Sequence, residues 1–111
     1  MQNGSLINTI LECAQACEHC ATSCLKAEDV AEMSRCIQLD RDCADICFQA
    51  ARLLKRKSEI ALPYLLLCEK ICRMCAEECK KHENDHCQTC AKKCLECADA
   101  CHQHHKPIEQ D

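Results

Sequence analysis

Residues 13–24 read CAQACEHCATSC, and the spacing of the four cysteines in this stretch decides the fold. Cys13, Cys17, Cys20 and Cys24 lie at offsets of 0, 4, 7 and 11 residues. At about 100° per residue these offsets fall within about 60° of arc on an α-helix, whereas on a strand they would alternate between faces. The intervening residues include good helix formers such as Ala, Glu and Gln. The thiols therefore occupy the stripe that holds Leu or Ile on an ordinary amphipathic helix.

The same frame recurs three times. Cys68, Cys72, Cys75 and Cys79 repeat the C-x3-C-x2-C-x3-C spacing without change. Cys36, Asp40, Cys43 and Cys47 keep the frame with a carboxylate in the second slot. Cys90, Cys94, Cys97 and Cys101 keep it again, with Cys87 added before them. A helix-sized unit repeated four times predicts helices over about Ser5–Ala27, Asp29–Lys57, Pro63–Lys81 and Asp85–His105. Pro63 fits a first turn, and Asn84 or Asp85 fits an N-cap. Acidic residues at the starts of the second and fourth helices (Asp29, Glu32, Asp85) suit the helix dipole. So do basic residues at the ends of the second and third (Lys55 to Lys57, Lys80, Lys81). Short connections make neighbours antiparallel, giving an all-α, up-down-up-down four-helix bundle as a single domain over residues 1–111.

Antiparallel packing then predicts four layers. Cys13, Cys47, Cys68 and Cys101 form the first, and Cys17, Cys43, Cys72 and Cys97 the second. Cys20, Asp40, Cys75 and Cys94 form the third, and Cys24, Cys36, Cys79 and Cys90 the fourth, with Cys87 beyond it. Past the first layer the inward slots are Leu6, Ile10, Ala51, Leu54 and Leu65 with His104 or His105, an apolar plug. Past the last they are Glu28, Met33, His82, His86 and Cys87. Thioether, imidazole and thiol together suit a soft cation at a mouth.

Composition agrees and removes other classes. One Gly and two Pro in 111 residues cannot supply the turns of a β-rich or loop-rich fold. A net charge of −4 lacks the basic footprint of a nucleic-acid binder. The longest apolar run, Ile60 to Cys68, contains Pro63 and is too short to span a bilayer. Residues 1–12 show neither a basic nor an apolar leader region, so a cytoplasmic protein with reduced thiols is expected.

Sixteen cysteines in the core give up apolar volume that Leu would supply, which argues for metal over simple packing. Zinc at each layer of four thiolates would leave a net charge of −2 per site with no cation opposite, stacked along one axis. One Cu(I) per thiolate is neutral, and thiolate-rich sites select Cu(I), so about one ion per Cys is expected. Asp40 reads either as a solvated or capping carboxylate or as an oxygen donor in the third layer. His19 falls off the stripe and reads as surface or subunit contact. No nucleophile–base pair suggests an enzyme. The alternatives of another class are a thiol-based redox protein and a zinc or iron–sulfur binder.

The repeated cysteine frame, residues 36–47 (CIQLDRDCADIC) and residues 82–90 (HENDHCQTC) together resemble the bacterial copper storage proteins, over residues about 10 to 102. The start of the chain makes it similar to their cytosolic branch. The resemblance implies four-helix-bundle protomers, usually assembled as a homotetramer, whose cores fill with many Cu(I) ions. It also implies that copper enters at an end carrying His or Met, which fits Met33, His82 and His86.

Overall fold

The computed structural model describes residues 2–105, so the first residue and the last six of the expected 1–111 domain lie outside the described residues. Four α-helices follow one another: α1 (Gln2–Leu25), α2 (Ser34–Lys55), α3 (Ala61–Cys79) and α4 (Asp85–His105). Each packs against its two neighbours around a common axis, and the diagonal pairs α1/α3 and α2/α4 do not close on one another. The expected bundle is therefore the fold, an elongated body of 47 × 27 × 19 Å. None of the described helices is long and apolar enough to cross a membrane.

The second helix starts later than the sequence reading had it. Residues 28–32 are all exposed and carry no apolar stripe, so nothing holds an α-helical face against the bundle there. The chain instead forms a 3-10 turn, Val30–Met33, whose one buried side chain is Met33. As a result Asp29 and Glu32 precede α2 rather than opening it, and α2 has no acid in its first turn. Its last turn does carry Arg52 and Lys55, while Lys80 and Lys81 lie just past the end of α3.

Each connection has a local cause. Lys57, at φ 57°, turns the chain after α2. Ser58 N–H donates to Leu53 O at 2.9 Å and Lys57 N–H to Leu54 O at 3.0 Å, the paired bonds that close a helix through a left-handed residue. Pro63 sits in the first turn of α3 as expected, where its missing N–H costs no helical bond. Asn84 opens α4 with its carbonyl, which accepts from the N–H groups of Cys87 and Gln88, both at 3.0 Å. The Gln88 side chain then reaches back to the carbonyls of His82 at 2.6 Å and Lys80 at 3.2 Å, fastening α3 to α4.

Candidate metal centre

All 16 cysteines lie inside the bundle with no exposed surface, and all are free thiols. Across α2 and α3 they meet in the expected ranks. Sγ–Sγ distances are 3.7 Å for Cys47–Cys68, 3.7 Å for Cys43–Cys72 and 3.5 Å for Cys36–Cys79. The rank between the last two pairs is filled by Asp40 and Cys75, 3.1 Å apart.

The flat layers expected for α1 need correction. Cys17 meets Cys94 at 3.6 Å and Cys90 at 3.7 Å, in place of the expected Cys97. Cys13 keeps its expected contact with Cys47 at 3.9 Å, but it also contacts Cys43, Cys72 and Cys94 at 4.0, 3.9 and 3.8 Å. Cys20 and Cys24 both reach Cys87, at 3.9 and 3.8 Å. The first helix is thus displaced by about one cysteine rank against α4, and Cys87 belongs to the column instead of lying beyond it. No connection joins α1 to α4, so only side-chain packing fixes their relative height. Leu6 and Ile10, also on α1 and 2% and 0% exposed, take the places that its thiols leave at the closed end.

The result is a continuous, staggered column of four-atom donor sets. One comprises Cys13, Cys47, Cys72 and Cys97, and another Cys17, Cys75, Cys90 and Cys94. A third comprises Cys20, Asp40, Cys79 and Cys90, and a fourth Cys20, Cys24, Cys87 and His86. Within each set every donor atom lies within 4.8 Å of the others. Shared members such as Cys20 and Cys90 link the sets. Cys68 and Cys101 neighbour one another and Cys97 at the closed end.

Asp40 is fully buried, which removes the solvated or capping alternative. Thiols of Cys75, Cys90 and Cys79 donate to its Oδ1 at 3.1, 3.3 and 3.4 Å, and Cys36 approaches Oδ2 at 3.9 Å. Burial pushes its carboxyl up to about 8. Neutral Asp40 is therefore the resting form of the metal-free protein at neutral pH.

The expected mouth residues divide into two groups. Met33 is buried, and His86 Nε2 lies 3.5 Å from Cys24 Sγ, so imidazole and thioether do stand at this end of the column. Burial pushes Cys24 up to about 11 and raises Cys87 as well. His82 Nε2 is instead bonded to Glu78 Oε2 at 2.9 Å, and Glu28 is exposed rather than inward. Glu78 is nearly buried and also meets Arg35 at 3.3 Å and Lys81 at 3.6 Å. Its hydrogen bond with His82, reinforced by the Lys81 charge, holds its carboxyl below the usual range. The sequence reading missed Glu78, and no helical spacing signals the pair, because His82 lies in the turn past the end of α3.

The opposite end is closed as expected by Leu6, Ile10, Ala51, Leu54 and Leu65, all buried. Neither candidate histidine completes that plug. His104 Nδ1 bonds to the carbonyl of Ala100 at 2.9 Å, and His105 turns to Glu69 on α3. His19 is exposed, as its position off the stripe implied.

The sequence profile of the copper storage protein family matches residues 1–106. This chain belongs to the copper storage protein family. Solved copper storage proteins share this architecture. The Cu(I)-bound copper storage protein BsCsp3 superposes with a TM-score of 0.90 at 40% identity, over 94% of this chain and 98% of that one. A cytosolic copper storage protein from Streptomyces lividans, loaded with five coppers, gives 0.91 at 34% identity, over 96% and 94%. The cysteine-rich protein YhjQ of Bacillus subtilis strain 168 is 44% identical over 82 residues, which are 74% of this chain and 76% of that protein.

Proposed function

We propose that this chain is a cytosolic store for Cu(I), holding many ions along the thiol column for copper storage and detoxification. The observation that carries the reading is the column itself: buried free thiols in contact from the mouth to the apolar plug, with no cation opposite them. Among the described residues the buried charged side chains are Asp40 and Glu78 alone, both acids. A divalent ion in each four-thiolate set would leave uncompensated negative charge throughout the interior. One Cu(I) per thiolate leaves none, and soft sulfur donors select it. All 16 cysteines serve as ligands in this reading, with Asp40 as an oxygen donor beside Cys20, Cys79 and Cys90. Met33 and His86 line the way in, and His82 lies behind them, tethered to Glu78.

The store works by exchange of cargo, so no catalytic step is assigned to any residue. A redox function finds less support: it calls for an accessible thiol of low pKa, and every cysteine here is withdrawn from solvent. The resemblance noted above supports a homotetramer as the working unit. Leu62, Leu66, Leu67, Met74 and Leu95 leave a large apolar surface on α3 and α4 that self-association would cover.

The reading is tested by anaerobic titration of the reduced protein with Cu(I) against a competing Cu(I) chelator, with Zn²⁺ run in parallel. About ten or more tightly held Cu(I) per chain is the expected result, with about one per Cys as the ceiling. One or two Cu(I), or preferential filling by Zn²⁺, would overturn it.

A further inference from the structure

At the closed end of the bundle a second donor cluster stands apart from the sulfur column. Glu69 on α3 faces His102 and His105 on α4, which share a face because they are three residues apart. Glu69 Oε1 lies 2.6 Å from His105 Nε2. His102 Nδ1 straddles the carboxylate, 3.4 Å from Oε1 and 3.3 Å from Oε2. The two rings meet edge to face with centroids 5.4 Å apart. Arg73 anchors Oε2 from behind, through Nε at 3.0 Å and Nη2 at 2.8 Å, and itself reaches Asp99 at 3.4 Å. The side chains of Glu69 and His105 are 15% and 12% exposed, whereas His102 is 48% exposed and leaves one side open to water.

An ordinary ion pair accounts for only part of this arrangement. His105 alone satisfies Oε1 with a short bond. His102 is held beside the same carboxylate at a distance too long for a strong hydrogen bond. It is, however, the right distance for a shared ion. A tetrahedral ion with N and O ligands at about 2.0–2.1 Å spaces its ligands by about 3.3 Å. His102 already meets that spacing, and His105 reaches it by moving back a fraction of an ångström. Arg73 does what outer-shell groups do at metal sites, fixing the carboxylate so that its free oxygen points at the two imidazoles. Two imidazoles and a carboxylate are borderline donors that suit a divalent ion of the zinc type, in contrast to the soft thiols that suit Cu(I).

We propose that Glu69, His102 and His105 form a separate binding site for one divalent transition-metal ion, with water completing the coordination. The site lies at the end of the bundle opposite His86 and Met33. It is independent of the core in chemistry as well as position, since it uses no thiol.

The test uses protein whose thiols have first been filled with Cu(I) under anaerobic conditions, so that a failure of the storage reading shows at that loading step. Zn²⁺ is then titrated against a chromophoric zinc chelator while the histidine Cε1–H resonances are followed by NMR. One Zn²⁺ per chain is expected, shifting the signals of His102 and His105. Affinity should fall at least about tenfold in His102→Ala/His105→Ala and in Glu69→Gln, with Cu(I) capacity unchanged. Should the double variant fold poorly, His102→Ala alone, at the exposed position, reads the same loss. Absence of Zn²⁺ binding in the loaded protein, or equal binding in wild type and His102→Ala, would overturn the proposal.

Discussion

Replacing Asp40 by Asn removes the ionisable oxygen from the thiol column while keeping its shape and its Oδ1 acceptor. In the native protein Asp40 keeps its proton up to about pH 8, whereas its unfolded value is 3.8. Between those limits the native state binds one more proton than the unfolded chain, so stability falls as pH rises. The contribution is fully present below about pH 3.8 and is lost progressively as pH climbs through about 8. The slope is 2.303RT, or about 1.4 kcal/mol per pH unit. Because Asp40 is fully buried, solvent screening does not blunt it. From pH 4.5 to 7.5 the wild type should lose about 3–4 kcal/mol relative to Asp40→Asn, a large fraction of what a small domain has. The assay is urea unfolding of reduced, metal-free protein at several pH values under anaerobic conditions. Titration of groups remote from Asp40 is common to both proteins and drops out of the difference. Parallel stability profiles for the two proteins would refute the reasoning, because they would mean that Asp40 ionises in the core without cost.

Four further outcomes follow from the same geometry. Substituting Ala for His82, His86 and Met33 together should slow Cu(I) loading in stopped-flow measurements and leave capacity nearly unchanged. Most of the effect should come from His86→Ala, since His86 and not His82 touches a thiol; unchanged rates in the triple variant would contradict the assignment of the mouth. Loading at constant pH should release about one proton per Cu(I) as neutral thiols become ligands, measurable by pH-stat; uptake without release would exclude thiolate ligation. Lys57→Gly should raise stability by about 0.5–1 kcal/mol in chemical denaturation, because Lys57 occupies a left-handed conformation that glycine adopts without strain. Amide exchange should slow on copper loading chiefly around Cys24 and Cys87, and much less around Leu54 and Leu65, where the bundle is closed by apolar packing before any cargo arrives; uniform slowing would contradict a closed end.

The cysteine frame made the helices, the bundle and the inward face of every thiol legible, because one periodicity repeated four times leaves no other fold for so few turn residues. Helix α4 begins at Asp85 as the cap chemistry of Asn84 and Asp85 implied. Register was legible only where a short connection sets it, between α2 and α3 and between α3 and α4. The height of α1 against α4 depends on how Leu6 and Ile10 fill the closed end, which no local spacing encodes. The break at Met33 was hidden for a related reason: residues 28–32 have adequate helix propensity, but they have nothing to pack against. The pairing of Glu69 with His102 and His105 crosses two helices more than thirty residues apart in sequence, so it emerges only once the bundle is assembled.

A core of thiols also determines where the stability of the empty protein resides. Each Cys contributes less apolar volume than Leu, and its sulfur neighbours at 3.5–4.0 Å supply dispersion contacts but only weak hydrogen bonds. The apolar side chains that can hold the helices together sit at the closed end, as Leu6, Ile10, Leu54 and Leu65, and in the seams between helices, as Leu39, Leu53 and Ile71. Around the mouth the empty protein relies on Met33 and on the polar cluster of Glu78 with His82, Arg35 and Lys81. Cargo that binds only the folded state stabilises it by about 4 kcal/mol per site at a thousandfold excess over Kd. Filling the column would therefore multiply the stability of the half that packs least well on its own. The closed end needs no such help. That asymmetry lets one end of a rigid bundle yield to an incoming ion while the other keeps the four helices in register.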